Sequence, residues 1–223
     1  MRLTVLGSGT SSGVPTIGCT CRTCTSSDPR DRRTRPSVWI TTDQASIVID
    51  TSSDFRAQCL SQGVGRLDGV VYTHHHFDHI AGFDDLRAFN YTSRRPVELF
   101  VMQETLTHLQ HVFNYAFARD ESNQSSTPSV QVNLVGDETF EVAGVRLTPI
   151  PLLHGNMRVN GYRFGSAAYC TDCNYISPDS IDALRGVDVL ILDALRPTPH
   201  PTHFTIDQAV EVARAIGARE TYF

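Results

Sequence analysis

Short apolar runs punctuated by glycine, proline and small polar residues predict many strands with helices between them. Residues 3–6 read as a first strand running into a glycine-rich loop at 7–13. Residues 38–41 and 46–50 form a hairpin across 42–45. A short helix covers 54–62 and stops near Gly63, and 69–72 is a buried strand. Helical spacing follows at 80–89, a strand at 98–101 and a helix at 104–112. The polar stretch Asp120–Ser129 has few apolar groups and is expected to be a mobile loop. Strands are expected at 130–135, 139–142, 145–149, 161–164 and 167–170. Ser177 and Pro178 open a helix as its cap and first residue, and 187–192 is an apolar strand. Thr205 and Gln208 make a capping box for the last helix, whose apolar face carries Ile206, Ala209, Val210, Ala213 and Ile216 and which Gly217 ends. Residues 221–223 begin another strand. Strands early and late, with helices interspersed, suggest two sheets face to face with helices outside.

Composition narrows the class. The 223 residues, 40% of them hydrophobic, suffice for one sizeable core, so a single domain is expected. The net charge of -5 disfavours a nucleic-acid partner, which calls for a basic face. No window resembles a membrane span, and Met1–Gly7 is too soon broken to be a signal peptide, so a cytoplasmic location without a membrane partner is expected. Six cysteines without a signal point to metal binding or free thiols rather than a disulfide scaffold.

The densest chemistry lies at Thr73–His79, where His74, His76, Asp78 and His79 form the pattern H-x-H-x-D-H. Imidazole nitrogen and carboxylate oxygen are ligands for zinc and similar divalent ions. Alternation turns His74 and His76 the same way, and a turn through Asp78 and His79 presents a second pair. Two neighbouring metals suit this set better than one. His154 and Asp172 each follow an apolar strand. Taken alone they read as a loop histidine and a turn residue; their order after the cluster makes them ligand candidates. Cys19, Cys21 and Cys24 form C-x-C-x-x-C, most of a tetrahedral zinc site. Cys59 reads as a core residue, and Cys170 and Cys173 as packing beside Asp172. The loop 7–13 is neither a P-loop nor a dinucleotide fingerprint.

The series H-x-H-x-D-H, then His154, then Asp172 resembles the metallo-β-lactamase fold superfamily. That resemblance implies an α+β fold, a four-layer αβ/βα sandwich. It implies that His74, His76 and His154 hold one metal, that Asp78 and His79 hold a second, and that Asp172 bridges. His79 stands where several true β-lactamases have cysteine, which argues against antibiotic hydrolysis. The cysteine pattern with Gly13-Val14-Pro15 upstream, the run 50–56 and the run 82–87 resemble the phosphoribosyl cyclic phosphate phosphodiesterases. In that branch His203 matches a catalytic histidine outside the metal shell, so Asp78 and His203 are the catalytic candidates. The branch closes its second metal site and its cysteine site with histidines beyond the last helix. The sequence ends at Phe223, so a short C-terminal segment is expected to be missing.

The reading is a phosphodiesterase with two active-site metals, zinc or manganese, and one structural zinc. Its partner is a small, cyclic or open, phosphate ester, and relatives of this fold often pair as homodimers. Two metals supply a water-derived nucleophile and offset phosphoryl charge. His203 is the candidate general acid. Arg56, Arg87 and the basic run 30–35 are ambiguous between phosphate contact and a structural or solvated role. The alternatives are an RNA-processing nuclease of the same fold, for which no long basic insertion is visible, and a non-catalytic metal- or ligand-binding protein.

Overall fold

The structure, a computed structural model, describes residues 1–118 and 127–223. Of the stretch Asp120–Ser129 expected as a mobile loop, residues 120–126 lie outside the described residues. The chain forms two compact units, Met1–Val135 and Gly136–Phe223.

The first unit is a mixed sheet in the order β1 (Arg2–Gly7), β2 (Ser37–Thr41), β3 (Ser46–Ile49), β4 (Gly69–Val71), β5 (Val97–Val101) and β6 (Val130–Leu134). The pairs β1/β2 and β2/β3 are antiparallel, and β3/β4, β4/β5 and β5/β6 are parallel. The parallel stretch needs crossovers, and the chain supplies helices. These are α1 (Phe55–Gln62), α2 (Phe77–Ile80), α3 (Arg87–Ser93), α4 (Gln103–Val112) and α5 (Asn114–Phe117). Val48, Val70 and Leu99 from the parallel strands and Phe55, Phe83, Leu86 and Leu109 from the crossovers make one buried cluster.

The single helix expected over 80–89 is instead α2, a 3₁₀ stretch Ala81–Leu86, and α3. Gly82 explains the break. A Cβ there would lie 2.3 Å from the Ser52 carbonyl oxygen and 2.6 Å from the Phe55 Cβ, and the Gly82 N–H donates to the Thr51 carbonyl at 2.8 Å. The backbone is pinned against the loop after β3, which a regular helix could not reach. The glycine-rich loop after β1 is also a close approach. A Cβ on Gly7 would lie 2.0 Å from the Arg35 carbonyl oxygen.

The second unit is a mixed sheet in the order β11 (Tyr175–Ile176), β8 (Val145–His154), β9 (Met157–Phe164), β10 (Ala167–Cys170), β12 (Val189–Leu192) and β13 (Glu220–Tyr222), with β7 (Phe140–Val142) also on β8. The pairs β10/β12 and β12/β13 are parallel. Helices α6 (Pro178–Leu184) and α7 (Ile206–Ile216) carry the caps read from the sequence. The Ser177 side chain accepts from the Ser180 N–H, and Thr205 and Gln208 close a reciprocal capping box.

Strands β8 and β9 are longer than expected, meeting in a hairpin at His154–Met157. The prolines explain the early stop in the sequence reading, because proline cannot donate to a ladder. Pro149 and Pro151 are accommodated because one edge of β8 pairs with β7 only at 145–147 and with β11 only at 152–153. Between those stretches no ladder partner occupies that edge among the described residues.

Candidate metal centre

In the first unit the H-x-H-x-D-H segment leaves the carboxyl end of β4, beside the parallel end of β3. The ends of parallel strands are where open sheets of this kind hold ligands. Residue Asp50, directly after β3, adopts φ 63°, which turns its carboxylate toward the next strand end. Its Oδ1 accepts from the Thr73 N–H at 2.9 Å. Its Oδ2 accepts from the Thr73 hydroxyl at 2.8 Å and pairs with His79 Nδ1 at 2.8 Å. All three residues are fully buried. Burial pushes the Asp50 carboxyl above its usual range, opposed by His79 and by the Thr73 donors.

These contacts fix tautomers. An ionised Asp50 only accepts, so His79 Nδ1 donates to it. The Thr73 hydroxyl has one proton and gives it to Asp50, so at its 3.0 Å contact with His74 Nδ1 the hydroxyl oxygen accepts. Both rings therefore carry hydrogen on Nδ1 and present Nε2 as the basic nitrogen. Such anchoring of the remote ring nitrogen is the usual support of a metal-ligating histidine. The His74 ring lies 4.7 Å from that of His76 and 4.1 Å from that of His79 between centroids. His76 precedes α2, whose first turn carries Asp78 and His79, with Asp78 Oδ2 3.5 Å from His79 Nε2. The four residues of the pattern are thus brought together.

The second unit repeats the device. His154 ends β8, and its Nδ1–H donates to the Thr202 carbonyl at 2.8 Å, again leaving Nε2 as the basic nitrogen. Gly155 follows with φ 64°, and its N–H donates to Asn174 Oδ1 at 2.8 Å, which holds the turn. Asp172 follows β10 with φ 52° and accepts from the Thr171 hydroxyl at 2.7 Å. One donor atom of His154 and one of Asp172 lie within 4.8 Å. Next to β10, strand β12 is followed directly by Asp193, whose Oδ2 lies 2.9 Å from His203 Nδ1 and accepts from the Cys173 N–H at 3.1 Å. Burial pushes the Asp193 carboxyl up, and His203 opposes that shift. The His203 ring stands 4.6 Å from that of His154 and 5.0 Å from that of His200.

The sulfurs of Cys19, Cys21 and Cys24 lie within 4.8 Å of one another on an exposed loop. The Cys21 thiol is lowered to about 7 by hydrogen bonds, chiefly from the Cys24 backbone N–H. Cys59, Cys170 and Cys173 are buried, as expected. Among the ambiguous arginines, Arg35 is tied to Asp54 at 3.0 Å, Arg30 to Asp28 at 2.6 Å and Arg87 to Asp84 at 3.1 Å. Those contacts are structural.

Asp50, Thr73 and Asp193 were not singled out from the sequence as site residues. The signal was present for both acids, since each directly follows an apolar strand, the criterion that picked out His154 and Asp172.

The donor set fits divalent metals: imidazole Nε2 atoms set by outer hydrogen bonds, together with carboxylates. Residues 45–223 match the family model described as the beta-lactamase superfamily domain. A crystal structure of a diphosphatase from the PhnP family is 48% identical, with a TM-score of 0.91, covering 99% of this chain and 85% of that one. The chain belongs to the metallo-β-lactamase superfamily, in its PhnP branch. It has the metallo-β-lactamase fold, of the α+β class. Human tRNase Z, short form, is similar at 16% identity and a TM-score of 0.68, covering 99% of this chain and 91% of that one, a likeness of fold. A curated octanoyltransferase of Porphyromonas gingivalis is 38% identical over 224 residues. The match takes in 99% of this chain but only 45% of that protein, so the chain spans less than half the length of that relative. Among the described residues no helix is long and apolar enough to cross a membrane.

Proposed function

We propose that this superfamily member is a cytoplasmic phosphodiesterase that hydrolyses a small phosphate ester, cyclic or open, at a dinuclear site of zinc or manganese. The observation that carries the reading is the 48% identity with a PhnP-family diphosphatase over 99% of the chain. A diphosphatase and a phosphodiesterase both cleave a phosphorus–oxygen bond next to a charged phosphoryl group. In this reading His74, His76 and His154 serve one metal, Asp78 and His79 the other, and Asp172 both. Cys19, Cys21 and Cys24 hold a structural zinc.

Bound metals supply an activated water and the positive charge that offsets negative charge growing on the phosphoryl oxygens. The chain's own residues do the rest. Asp50 and Thr73 orient the first-unit imidazoles. Asp193 holds His203 by Nδ1, which directs Nε2 to deliver a proton to the leaving oxygen. Asp193 also stabilises the imidazolium before that transfer, as buried carboxylates do for catalytic histidines.

The test uses the metal-loaded full chain with bis(p-nitrophenyl) phosphate, a cyclic ribose phosphate, a nucleoside diphosphate and a model RNA. Turnover of a small diester is the expected result. Cleavage of RNA alone supports the nuclease alternative, and no hydrolysis of any of the four overturns the proposal.

A further inference from the structure

A third group of metal-type donors lies in the first unit, outside both clusters described above. His75, Glu104 and His108 each offer a donor atom, and these atoms lie within 4.8 Å of one another. Glu104 and His108 sit four residues apart on α4, so they share one face of a rigid element. The parallel pairing of β4 with β5 brings the start of α4 to the strand end that His75 leaves, with the Tyr72 N–H donating to the Phe100 carbonyl at 3.0 Å. The His75 and His108 rings are stacked, 3.8 Å between centroids and 3° from parallel. Glu104 and His108 are exposed and His75 is half-buried.

We propose that His75, Glu104 and His108 form an open, exchangeable site for a first-row divalent cation of the zinc type, distinct from the H-x-H-x-D-H and cysteine clusters. Two imidazoles and one carboxylate select zinc, nickel or copper over magnesium and calcium, which take oxygen ligands. Water completes the coordination. Ligand atoms around a tetrahedral zinc lie about 3.4 Å apart, given bonds of about 2.1 Å. The three donors, all within 4.8 Å of one another, therefore close in by at most about 1.4 Å on binding. The rings must also turn out of their parallel stack, because a ligated metal lies in the plane of each imidazole. Exposed side chains make both movements inexpensive. The same mobility keeps the site weaker than one built of buried ligands such as His74 and His79, so it exchanges its ion more readily than that cluster does.

The experiment takes protein purified with its own metals retained and titrates it with zinc against a chromophoric zinc indicator. The native chain, His108→Ala and Glu104→Gln are compared, both substitutions being at exposed positions. The native chain is expected to take up one further zinc per molecule, with affinity for that equivalent reduced at least tenfold in each variant. A zinc-soaked crystal measured at the zinc edge is expected to show an ion within about 2.0–2.2 Å of all three side chains. The proposal is overturned if the native chain takes up no further zinc, if both variants follow the native isotherm, or if the added ion sits elsewhere.

Discussion

Replacing Asp50 with Asn keeps the volume of a fully buried side chain and changes only its hydrogen-bond chemistry. The amide oxygen can take the Thr73 N–H, now 2.9 Å from Oδ1. The NH₂ group then stands where Oδ2 accepts from the Thr73 hydroxyl and His79 Nδ1, each at 2.8 Å. It donates where the carboxylate accepted. His79 can meet it only by moving its proton to Nε2, and the Thr73 hydroxyl, now accepting from Asn, turns its own proton onto His74 Nδ1. Both histidines are driven to the tautomer that cannot bind a metal through Nε2. Recovering the ligand form leaves buried donors facing donors, an unsatisfied-group cost of about 1–3 kcal/mol. At about 1.4 kcal/mol per factor of ten, that is roughly a 5- to 150-fold loss of metal affinity. Competition against a chelator of known affinity measures it, and nitrogen NMR of the histidine rings reads the tautomers directly. Asp50→Ala should in addition lower metal-free stability by about 3–5 kcal/mol, since it strands the Thr73 N–H, the Thr73 hydroxyl and His79 Nδ1–H at about 1–3 kcal/mol each before relaxation. If Asp50→Asn binds metal within about threefold of the native chain and both rings keep hydrogen on Nδ1, the reasoning fails.

Three further outcomes follow from the geometry. In Asp193→Asn the loss of the His203 partner at 2.9 Å should cut turnover about 10²–10³-fold for substrates with poor alkoxide leaving groups. It should matter far less for p-nitrophenyl esters, whose leaving group needs no proton; an equal loss on both would remove His203 as the acid. In metal-free protein, alkylation of Cys21 should rise as pH climbs through about 7 and level off above it, because only the thiolate reacts, while added zinc suppresses it. Burial holds Cys59 and Cys170 near about 12, so both should resist labelling until the protein is denatured; fast native labelling of either contradicts that burial. Gly82→Ala should cost about 1–3 kcal/mol or more in thermal unfolding, since backbone and a Cβ both crowd the added methyl. Gly65→Ala, with nothing within 4 Å of the added methyl, should be near neutral.

What the sequence made legible was what is local. The capping box at Thr205 and Gln208, the Ser177 cap and the stop at Gly63 each depend on neighbouring residues, and each stands in the structure. The H-x-H-x-D-H residues were legible because the pattern is contiguous. Gly82 was not, because a lone glycine in a helical pattern does not announce that the Ser52 carbonyl lies against it. Asp50 and Asp193 were missed for the same reason. An acid after an apolar strand looks like a turn residue until a partner 23 or 10 positions away is seen to donate to it.

The prolines in β8 have a further consequence. A stretch of strand edge without a neighbour normally invites a foreign strand, and ordered self-assembly starts at such places. Pro149 and Pro151 occupy that stretch and carry no amide hydrogen. The Pro151 carbonyl already accepts from the Ser180 hydroxyl at 2.8 Å, so an incoming chain would find no amide donor at either proline and could not zip along it. The same two residues that hid the length of the strand from the sequence reading thus guard it against recruitment into aggregates.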